Sequence, residues 1–482
     1  MASLGNRFRR SGLSLLIAGS LMAGASVAHA QAAFTTLDRT SEARVNFSAA
    51  ERGKPIEAGS QVTVAGEGFQ PNQKVALYYG TEALAGGSLT ANAEGKIEGT
   101  ITVPANAVYG SHPIVVVAQG PYSARVAELK VSPTVPLSGQ SNFTLTEAQA
   151  ARGLYQSAYS AKSNSVFVTS AVGRPPVRDS ELLKLNADTM AITARISPAA
   201  APARPGPAGP ARPGAAADTD TRPGLFAVYG VGVDDAHDTV WVTNTRQNTV
   251  GVYRQSNLEL IKQFAPETVG HPRDVVIDQS VNKAFVSATG HPEVVVFNTT
   301  NNEVAKTITI QSGVRGEEFS AASQSLDAAN HKLYVVSLST GEVAIINTQT
   351  DTVEKVLRVP GVRGAIGVSN DPQTGRIFVA AQGSDNLVVL DGNTGAVIAD
   401  TPIGAGALNV AFDPVKRLAY VANRGAGTIA VTDVDGKLVA NLGPAPMANH
   451  VSVGANGTIF AVDKSAAARG EEGDTVLRIR PR

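Results

Sequence analysis

Val240-Trp241-Val242-Thr243-Asn244 is one copy of a short phrase that recurs through the C-terminal two thirds of the chain. Each copy sets an aromatic residue among apolar or small residues and ends on a small or polar one. The copies occur at 166–169, 240–244, 284–287, 333–336, 377–380, 419–423 and 459–462. Their aromatic residues lie 74, 44, 49, 44, 42 and 40 residues apart. A strand-like unit repeating every 40–45 or so residues is typical of a β-propeller blade. We therefore predict an all-β chain with a seven-bladed β-propeller over residues 148–482.

The order of strands within a blade can be read from the same region. An inner strand ends in Asp or Asn, a turn leads to the aromatic strand, and a third and an outer strand follow. Because hairpins reverse the chain at every turn, the loops fall on two faces. The loops between second and third strands, and those joining successive blades, share one face, which we call the top face. Ligands of a propeller of this kind would be expected there, around the axis.

The longest gap between aromatic residues contains a segment of unusual composition. Residues 197–224 are rich in Pro, Ala and Gly, and such segments do not supply a packed core. We expect a disordered insert on the top face. A passive segment is favoured over a partner-binding role.

The region before the propeller is typical of a second, smaller β domain. Short alternating patterns at 61–65, 74–79, 96–103, 111–118 and 124–131 predict a β-sandwich over residues 46–133. Residues 134–147 read as a linker. The seventh blade shows only three strands, so we expect residues 143–145 to supply its outer strand and close the ring.

The N-terminus predicts export. Arg7, Arg9 and Arg10 precede an apolar stretch, and Ala28-His29-Ala30 follows it, which is the pattern of a cleaved signal peptide over residues 1–30. The chain has 41 basic and 41 acidic residues. Since those three arginines are the only charged residues in the peptide, cleavage leaves 38 and 41, a net charge of −3. We expect a periplasmic or secreted, monomeric protein with no membrane span.

Composition excludes several kinds of site. The chain has no cysteine, which rules out disulfides, thiolate nucleophiles and Cys-ligated zinc. No Gly-x-Ser-x-Gly elbow, His-Glu-x-x-His pair, phosphate loop or dinucleotide fingerprint occurs. We therefore expect no cofactor, and we favour a binding protein over an enzyme.

The chain resembles known propellers in several stretches. Val240-Trp241-Val242-Thr243-Asn244 and Ala419-Tyr420-Val421-Ala422-Asn423 are similar to the Tyr-Val-Thr-Asn repeat. More narrowly, residues 148–482 resemble YncE-like periplasmic propellers, through stretches such as Pro272-Arg273-Asp274-Val275 and 412–421. Residues 62–71 resemble bacterial Ig-like domains. These resemblances imply a seven-bladed exported propeller after an Ig-like sandwich, and no catalytic residue carries over.

Polar residues at the top of the inner strands are the candidate binding site. Arginines there could form a local cationic mouth suited to a carboxylate, a phosphate or a single-stranded backbone, although pairing of these arginines with neighbouring acids is slightly favoured. The candidates are Arg246, His271, Arg273, Arg315, Arg363, Asn409, Arg424 and His450. Tyr155, Tyr229 and Phe319 are the aromatic residues nearest the axis, and core packing is favoured for each. The expected ligand is an anionic small molecule, a peptide or an envelope protein.

Two alternatives stay open at this stage. A metal-dependent lactonase or hydrolase would bind its ion through oxygen ligands on inner strands, with Glu318, Asn409 and Asn449 as candidates. Single-stranded nucleic-acid binding is a further alternative with weaker support, because the top face has no net positive charge overall.

Overall fold

The computed structural model describes residues 36–39, 42–202, 222–466, 470 and 472–482. The predicted signal peptide, residues 1–30, lies outside the described residues, as do residues 203–221 of the predicted insert. At the described ends of that insert, Ala200 forms an antiparallel bridge with Leu225. No helix within the described ranges is both long and apolar enough to cross a membrane.

The N-terminal module, residues 44–131, consists of two antiparallel sheets with strand orders β1-β2-β5 and β4-β3-β6-β7. Its strands are β1 (Arg44–Ala49), β2 (Gln61–Glu67), β3 (Lys74–Tyr79), β4 (Glu82–Thr90), β5 (Ile97–Thr102), β6 (Gly110–Gln119) and β7 (Ser123–Val131). Alternate residues of both sheets, such as Val64, Leu77 and Val116, meet in one buried apolar cluster. The kinship of this module with Ig-like domains stays a prediction.

Two strands of the module are not among the sequence predictions, β1 and β4. In β4 the pair Gly86-Gly87 resembles a turn. The structure gives the reason for the first glycine: Gly86 has φ +79, and a Cβ there would lie 2.2 Å from the carbonyl oxygen of Thr100. Only glycine lets β4 approach β5 this closely in that conformation.

The described residues that follow the module form seven four-stranded antiparallel sheets, numbered here along the sequence, each with its first-named strand innermost. The first three are sheet 1, β9 (Leu154–Ser160), β10 (Ser165–Val172), β11 (Asp179–Asn186) and β12 (Ile192–Ile196); sheet 2, β13 (Val231–Asp234), β14 (Thr239–Asn244), β15 (Thr249–Arg254) and β16 (Leu260–Gln263); and sheet 3, β17 (Pro272–Asp278), β18 (Lys283–Ala288), β19 (Glu293–Asn298) and β20 (Glu303–Thr309).

The next three sheets repeat this order without a break. They are sheet 4, β21 (Ala321–Asp327), β22 (Lys332–Ser337), β23 (Glu342–Asn347) and β24 (Thr352–Arg358); sheet 5, β25 (Ala365–Asp371), β26 (Arg376–Ala381), β27 (Asn386–Asp391) and β28 (Val397–Pro402); and sheet 6, β29 (Ala407–Asp413), β30 (Leu418–Asn423), β31 (Thr428–Asp433) and β32 (Leu438–Leu442). Short 3-10 helices lie at Gln140–Asn142, Thr245–Gln247 and Ala455–Gly457.

Sheet 7 combines both ends of the propeller sequence. It contains β33 (Ala448–Val453), β34 (Ile459–Asp463), β35 (Thr475–Pro481) and, as its outer strand, β8 (Phe143–Gln149). β8 runs antiparallel to β35, with Phe143 opposite Pro481 and Gln149 opposite Thr475. The strand that completes the last sheet thus comes from ahead of the first.

Apolar packing between neighbouring sheets closes the ring. Seven buried clusters each join two successive sheets, including one between sheets 7 and 1. The aromatic residues of the repeat lie in these clusters and are at most 3% exposed: Phe167, Trp241, Phe285, Tyr334, Phe378, Tyr420 and Phe460. Burying each such side chain stabilises the fold by about 1.5–3 kcal/mol. The all-β propeller predicted from the sequence is confirmed.

The N-terminal module rests on top-face loops of sheet 5. The Nζ of Lys130 donates to the carbonyl oxygen of Gln382 at 2.9 Å and pairs with Asp385 at 2.8 Å. Glu128 pairs with Arg363 at 2.7 Å. Since these loops belong to the face that holds the predicted site, the module covers part of that face.

Candidate functional site

Five side chains converge at the top end of the propeller axis, and we call them the mouth cluster: Tyr155, Tyr229, Arg246, Arg424 and Lys464. Tyr155 is the second residue of inner strand β9, and Tyr229 lies two residues before inner strand β13. The three cations follow the second strands of sheets 2, 6 and 7, where the chain turns on the top face. The closed ring brings sheets 6, 7, 1 and 2 side by side, so that these positions become neighbours.

The aromatic pair forms the centre of the mouth cluster. The rings of Tyr155 and Tyr229 meet edge to face with centroids 5.0 Å apart. The Arg246 guanidinium lies over the Tyr229 ring, 5.9 Å from its centroid, and its Nε is 3.4 Å from the Tyr229 hydroxyl. The Nζ of Lys464 lies 5.1 Å from the centroid of Tyr155. Cation–π attraction therefore holds two positive charges at the mouth.

The mouth cluster contains three cationic side chains, and Asp474 is the carboxylate whose charge acts on one of them, Lys464. Arg424 is exposed and its charge acts on Lys464: burial, and then the charge of Arg424, lowers the pKa of Lys464 to about 8. Asp474 opposes this shift. Its carboxylate accepts backbone N–H groups of Gly153, Leu154 and Ala466 at 2.6, 3.1 and 2.9 Å.

Arg273 lies just inside the mouth, on inner strand β17. Its Nε is 3.4 Å from the Ser323 hydroxyl and 3.6 Å from a carboxylate oxygen of Asp274. Asp274 is buried, and it also accepts from the Gln156 side chain at 2.6 Å and the Gln324 N–H at 3.2 Å. Hydrogen bonds from sheets 1 and 4 thus hold the Asp274 carboxylate of sheet 3, and most N–H donors of the Arg273 guanidinium remain available to other partners.

The two predicted histidines occupy different depths. His271 is exposed with φ +42 just before β17, and burial followed by the charge of Arg246 lowers its pKa. His450 lies on β33, where its Nδ1 accepts the N–H of Ser157 at 3.3 Å. Burial lowers the pKa of His450 to about 4. His450 is therefore a neutral acceptor at physiological pH and adds no charge to the mouth.

The other predicted arginines do not join the mouth cluster. The sequence predicts Arg363 near the channel, but its guanidinium contacts Glu128, since the N-terminal module lies on this loop. Arg315 is exposed in the loop before β21, and no hydrogen bond or ion pair between described residues joins it to the cluster.

The three candidates for a metal site are also separated. Asn409 accepts the N–H of Val451 at 2.8 Å, and Asn449 donates to the carbonyl oxygen of Tyr155 at 2.7 Å. Both amides therefore connect inner strands to each other. Glu318 is exposed in the loop before β21, two sheets from Asn409. Across the described part of the chain, no group of three His, Asp or Glu side chains could hold a metal ion.

Sequence reasoning left Lys464 out of the candidate site and assigned the two tyrosines to core packing. A signal for the lysine is present in the repeat itself. Arg246, Arg424 and Lys464 follow the aromatic residue of their copies by five, four and four positions. A cation at this spacing in blades that become neighbours on ring closure would have indicated a shared site.

Comparison with known sequences agrees with the resemblance seen in the repeat. No family model matches the chain. It is 22% identical over 344 residues to proteins named "Uncharacterized protein YncE" from Salmonella typhimurium and Salmonella typhi, a match that covers 68% of this chain and 88% of those proteins. The resemblance to YncE-like propellers is thereby confirmed.

Solved structures share the fold at low identity. Virginiamycin B lyase from Staphylococcus aureus is 13% identical with a TM-score of 0.51, and covers 70% of this chain and 99% of its own. Kuenenia stuttgartiensis hydrazine synthase is 14% identical with a TM-score of 0.53, over 70% and 98%. U3-55K is 9% identical with a TM-score of 0.52, over 71% and 99%. Proteins this different show that the likeness concerns the fold alone.

Proposed function

We propose that this chain, a β-propeller resembling the YncE-like proteins, is an exported binding protein that holds an anionic ligand at the mouth cluster without transforming it. The observation that supports this most is the placement of Arg246 and Lys464 over one pair of tyrosines, with the charge of Arg424 acting on Lys464. Guanidinium groups suit carboxylates and phosphates, because their planar donors form two parallel hydrogen bonds to such anions. The signal-peptide pattern of residues 1–30 supports the export.

The acids near the mouth favour an anion further. Asp474 is buried and held by backbone N–H groups, and Asp274 is buried beside Arg273, 3.6 Å from its Nε. No ion pair among the described residues engages Arg246 or Arg424, whereas Asp274 balances part of the charge of Arg273 below the cluster. An anion entering from the top would thus meet exposed Arg246 and Arg424 first and Arg273 next.

The geometry favours a small anion over a single-stranded nucleic acid. Stacking of bases needs free aromatic faces, whereas a cation lies over each of Tyr229 and Tyr155 and the two rings meet edge to face. The hydrolase alternative has less support, because Asn409 and Asn449 already bond to backbone groups.

Calorimetric titration of the mature protein with pyrophosphate and with citrate tests the proposal. We expect Arg246→Gln and Arg424→Gln each to weaken binding by about tenfold or more, since a hydrogen bond to a charged group is worth about 1.5–3 kcal/mol. Arg315→Gln is the matched control, because it removes an exposed top-face arginine that is not in the cluster. Equal losses in all three variants, or no binding of either anion, would refute the assignment.

A further inference from the structure

Lys464 differs from the other cations of the mouth in what surrounds its amine. It follows β34 on the top face and is half-buried, with Nζ over the Tyr155 ring. No hydrogen bond or ion pair to Nζ exists among the described residues. Loss of water destabilises the charged form of such an amine, and the attraction of the Tyr155 ring compensates for only part of the lost hydration.

The two charges that face this amine act in opposite directions. Arg424 repels the ammonium form. Asp474 attracts it, but that carboxylate already accepts three backbone N–H groups. Burial and Arg424 outweigh Asp474, and the pKa of Lys464 falls to about 8. Desolvation beside a second cation is a recognised way of making a lysine nucleophilic at neutral pH.

We propose that Lys464 is a carbonyl-reactive amine that forms a reversible imine with an aldehyde carrying an anionic group. The inference rests on the proposed anion binding, since the neighbouring arginines would hold the anionic part. In the reaction the neutral Nζ attacks the carbonyl carbon, and the C=O π pair moves to oxygen. The nitrogen then gives up both of its protons, one to the oxygen and one to solvent, while the oxygen takes a second proton from solvent and leaves as water, so that a neutral C=N bond replaces the C=O bond.

The arrangement of the mouth restricts which aldehydes fit. Tyr155 covers one side of the amine, so the carbonyl group has to approach from the open side. The charge of Arg424 acts on the amine, and Arg246 lies over the neighbouring ring of Tyr229. A phosphate or carboxylate a few bonds from the aldehyde carbon would therefore reach a guanidinium while the carbon reaches Nζ. Neutral aldehydes lack this second attachment.

The test uses pyridoxal 5′-phosphate as a probe, because it joins an aldehyde to a phosphate. The mature protein is incubated with the probe, reduced with borohydride, digested, and analysed by mass spectrometry for the lysine that bears the label. At pH 7 we expect Lys464 to be labelled about tenfold faster than exposed Lys437, since each unit of lowered pKa raises the neutral fraction of an amine about tenfold while lowering its nucleophilicity by less. Labelling of Lys464 should rise with pH and level off above about 8.

Three controls separate this inference from the proposed function. Lys464→Arg keeps the charge and should lose the fast label, whereas Lys437→Arg should keep it. Pyridoxine 5′-phosphate, which has no aldehyde, should compete with the probe, and pyridoxal, which has no phosphate, should label Lys464 more slowly. Labelling of Lys464 and Lys437 at the same rate overturns the imine site. If pyridoxine 5′-phosphate still binds in calorimetry, the anion site stands alone; if pyridoxal labels as fast as its phosphate, the requirement for an anionic group is wrong.

Discussion

Two ion pairs fasten the N-terminal module to the propeller, and they differ sharply in burial. In the pair between Lys130 and Asp385 the nitrogen and oxygen are 2.8 Å apart, and the side chains are 35% and 1% exposed. In the pair between Arg363 and Glu128 the distance is 2.7 Å, and the side chains are 53% and 56% exposed. From distance alone the two pairs would be expected to stabilise the docking of the module equally, whereas their burial predicts that only the pair between Lys130 and Asp385 contributes substantially to stability.

We predict that Lys130→Met lowers the free energy of unfolding by about 3 kcal/mol. Removing one partner of a buried pair costs about 3–5 kcal/mol, because it leaves a buried charge without compensation. The exposed third of Lys130 sets the expectation at the low end of that range. Asp385 keeps one donor, the N–H of Gly406 at 2.8 Å. Glu128→Gln, the control in the exposed pair, should cost only about 0.2–1 kcal/mol.

Double-mutant cycles in urea measure both couplings on the full mature chain. The variants are Lys130→Met and Asp385→Asn with their double mutant, and Glu128→Gln and Arg363→Gln with theirs. Trp241 is the only tryptophan and lies buried in sheet 2, so its fluorescence follows the propeller while far-ultraviolet circular dichroism follows both parts. In the wild type we expect coincident transitions, and in Lys130→Met we expect them to separate as the module undocks.

Salt provides an independent check. The exposed pair should lose its coupling in 0.5 M NaCl, where the screening length is only about 4–5 Å, and the buried pair should keep most of its coupling. A coupling between Lys130 and Asp385 no larger than that between Glu128 and Arg363 would refute the reasoning from burial.

Three further predictions concern titration and packing. Because Lys464 is charged below its pKa of about 8, the affinity of the protein for phosphate should fall as pH rises from 7 to 9, and this fall should be smaller in Lys464→Met. The same dependence of affinity on pH in Lys464→Met and in the wild type would contradict the place of Lys464 in the mouth cluster. Burial lowers the pKa of His450 to about 4, so its contribution to stability is present above about pH 6.5 and is lost as pH falls toward 4. The melting temperature of His450→Gln should therefore fall less than that of the wild type between pH 6.5 and pH 4. An equal fall in the two proteins would count against a buried neutral ring. Lys283 joins sheets 3 and 4 through an ion pair with Asp351 at 2.8 Å, and the two side chains are 19% and 13% exposed. In urea unfolding, Lys283→Met should lower the free energy of unfolding by about 2–4 kcal/mol, whereas Lys306→Met, which removes one exposed hydrogen bond to the Asp351 carbonyl oxygen, should lower it by less than about 1 kcal/mol. Similar losses in the two variants would be inconsistent with this account.

The fold was predictable because its signals are local. The aromatic strand of each blade needs only its own alternation to be recognised, and all seven repeat aromatics are buried between sheets. The turns after inner strands are local as well. Asp278, Asp371 and Asp413 each accept the backbone N–H two residues ahead, at 3.1, 3.1 and 2.9 Å, which is the reason Asp stands at these strand ends.

The candidate site was predictable only in part. That Arg246 and Arg424 lie on the top face follows from strand order, which the sequence shows. That Arg363 pairs with Glu128 depends on where the N-terminal module docks, and no local pattern records the contact. β4 is likewise absent from the predicted strands, and the approach of Gly86 to the carbonyl oxygen of Thr100 on β5 is a contact that only the tertiary structure shows.

The sequence by itself determined the repeat, the alternation of strands and turns, the exclusion of cysteine chemistry and the face on which loops carry cations. These follow from residues that act on their immediate chain neighbours. Only the tertiary structure decided which charges meet: Tyr155 opens the first sheet and Lys464 belongs to the last, and they touch because the ring closes between sheets 7 and 1. Burial then decided the rest, because desolvation sets the pKa of Lys464 and the strength of the bond between Lys130 and Asp385.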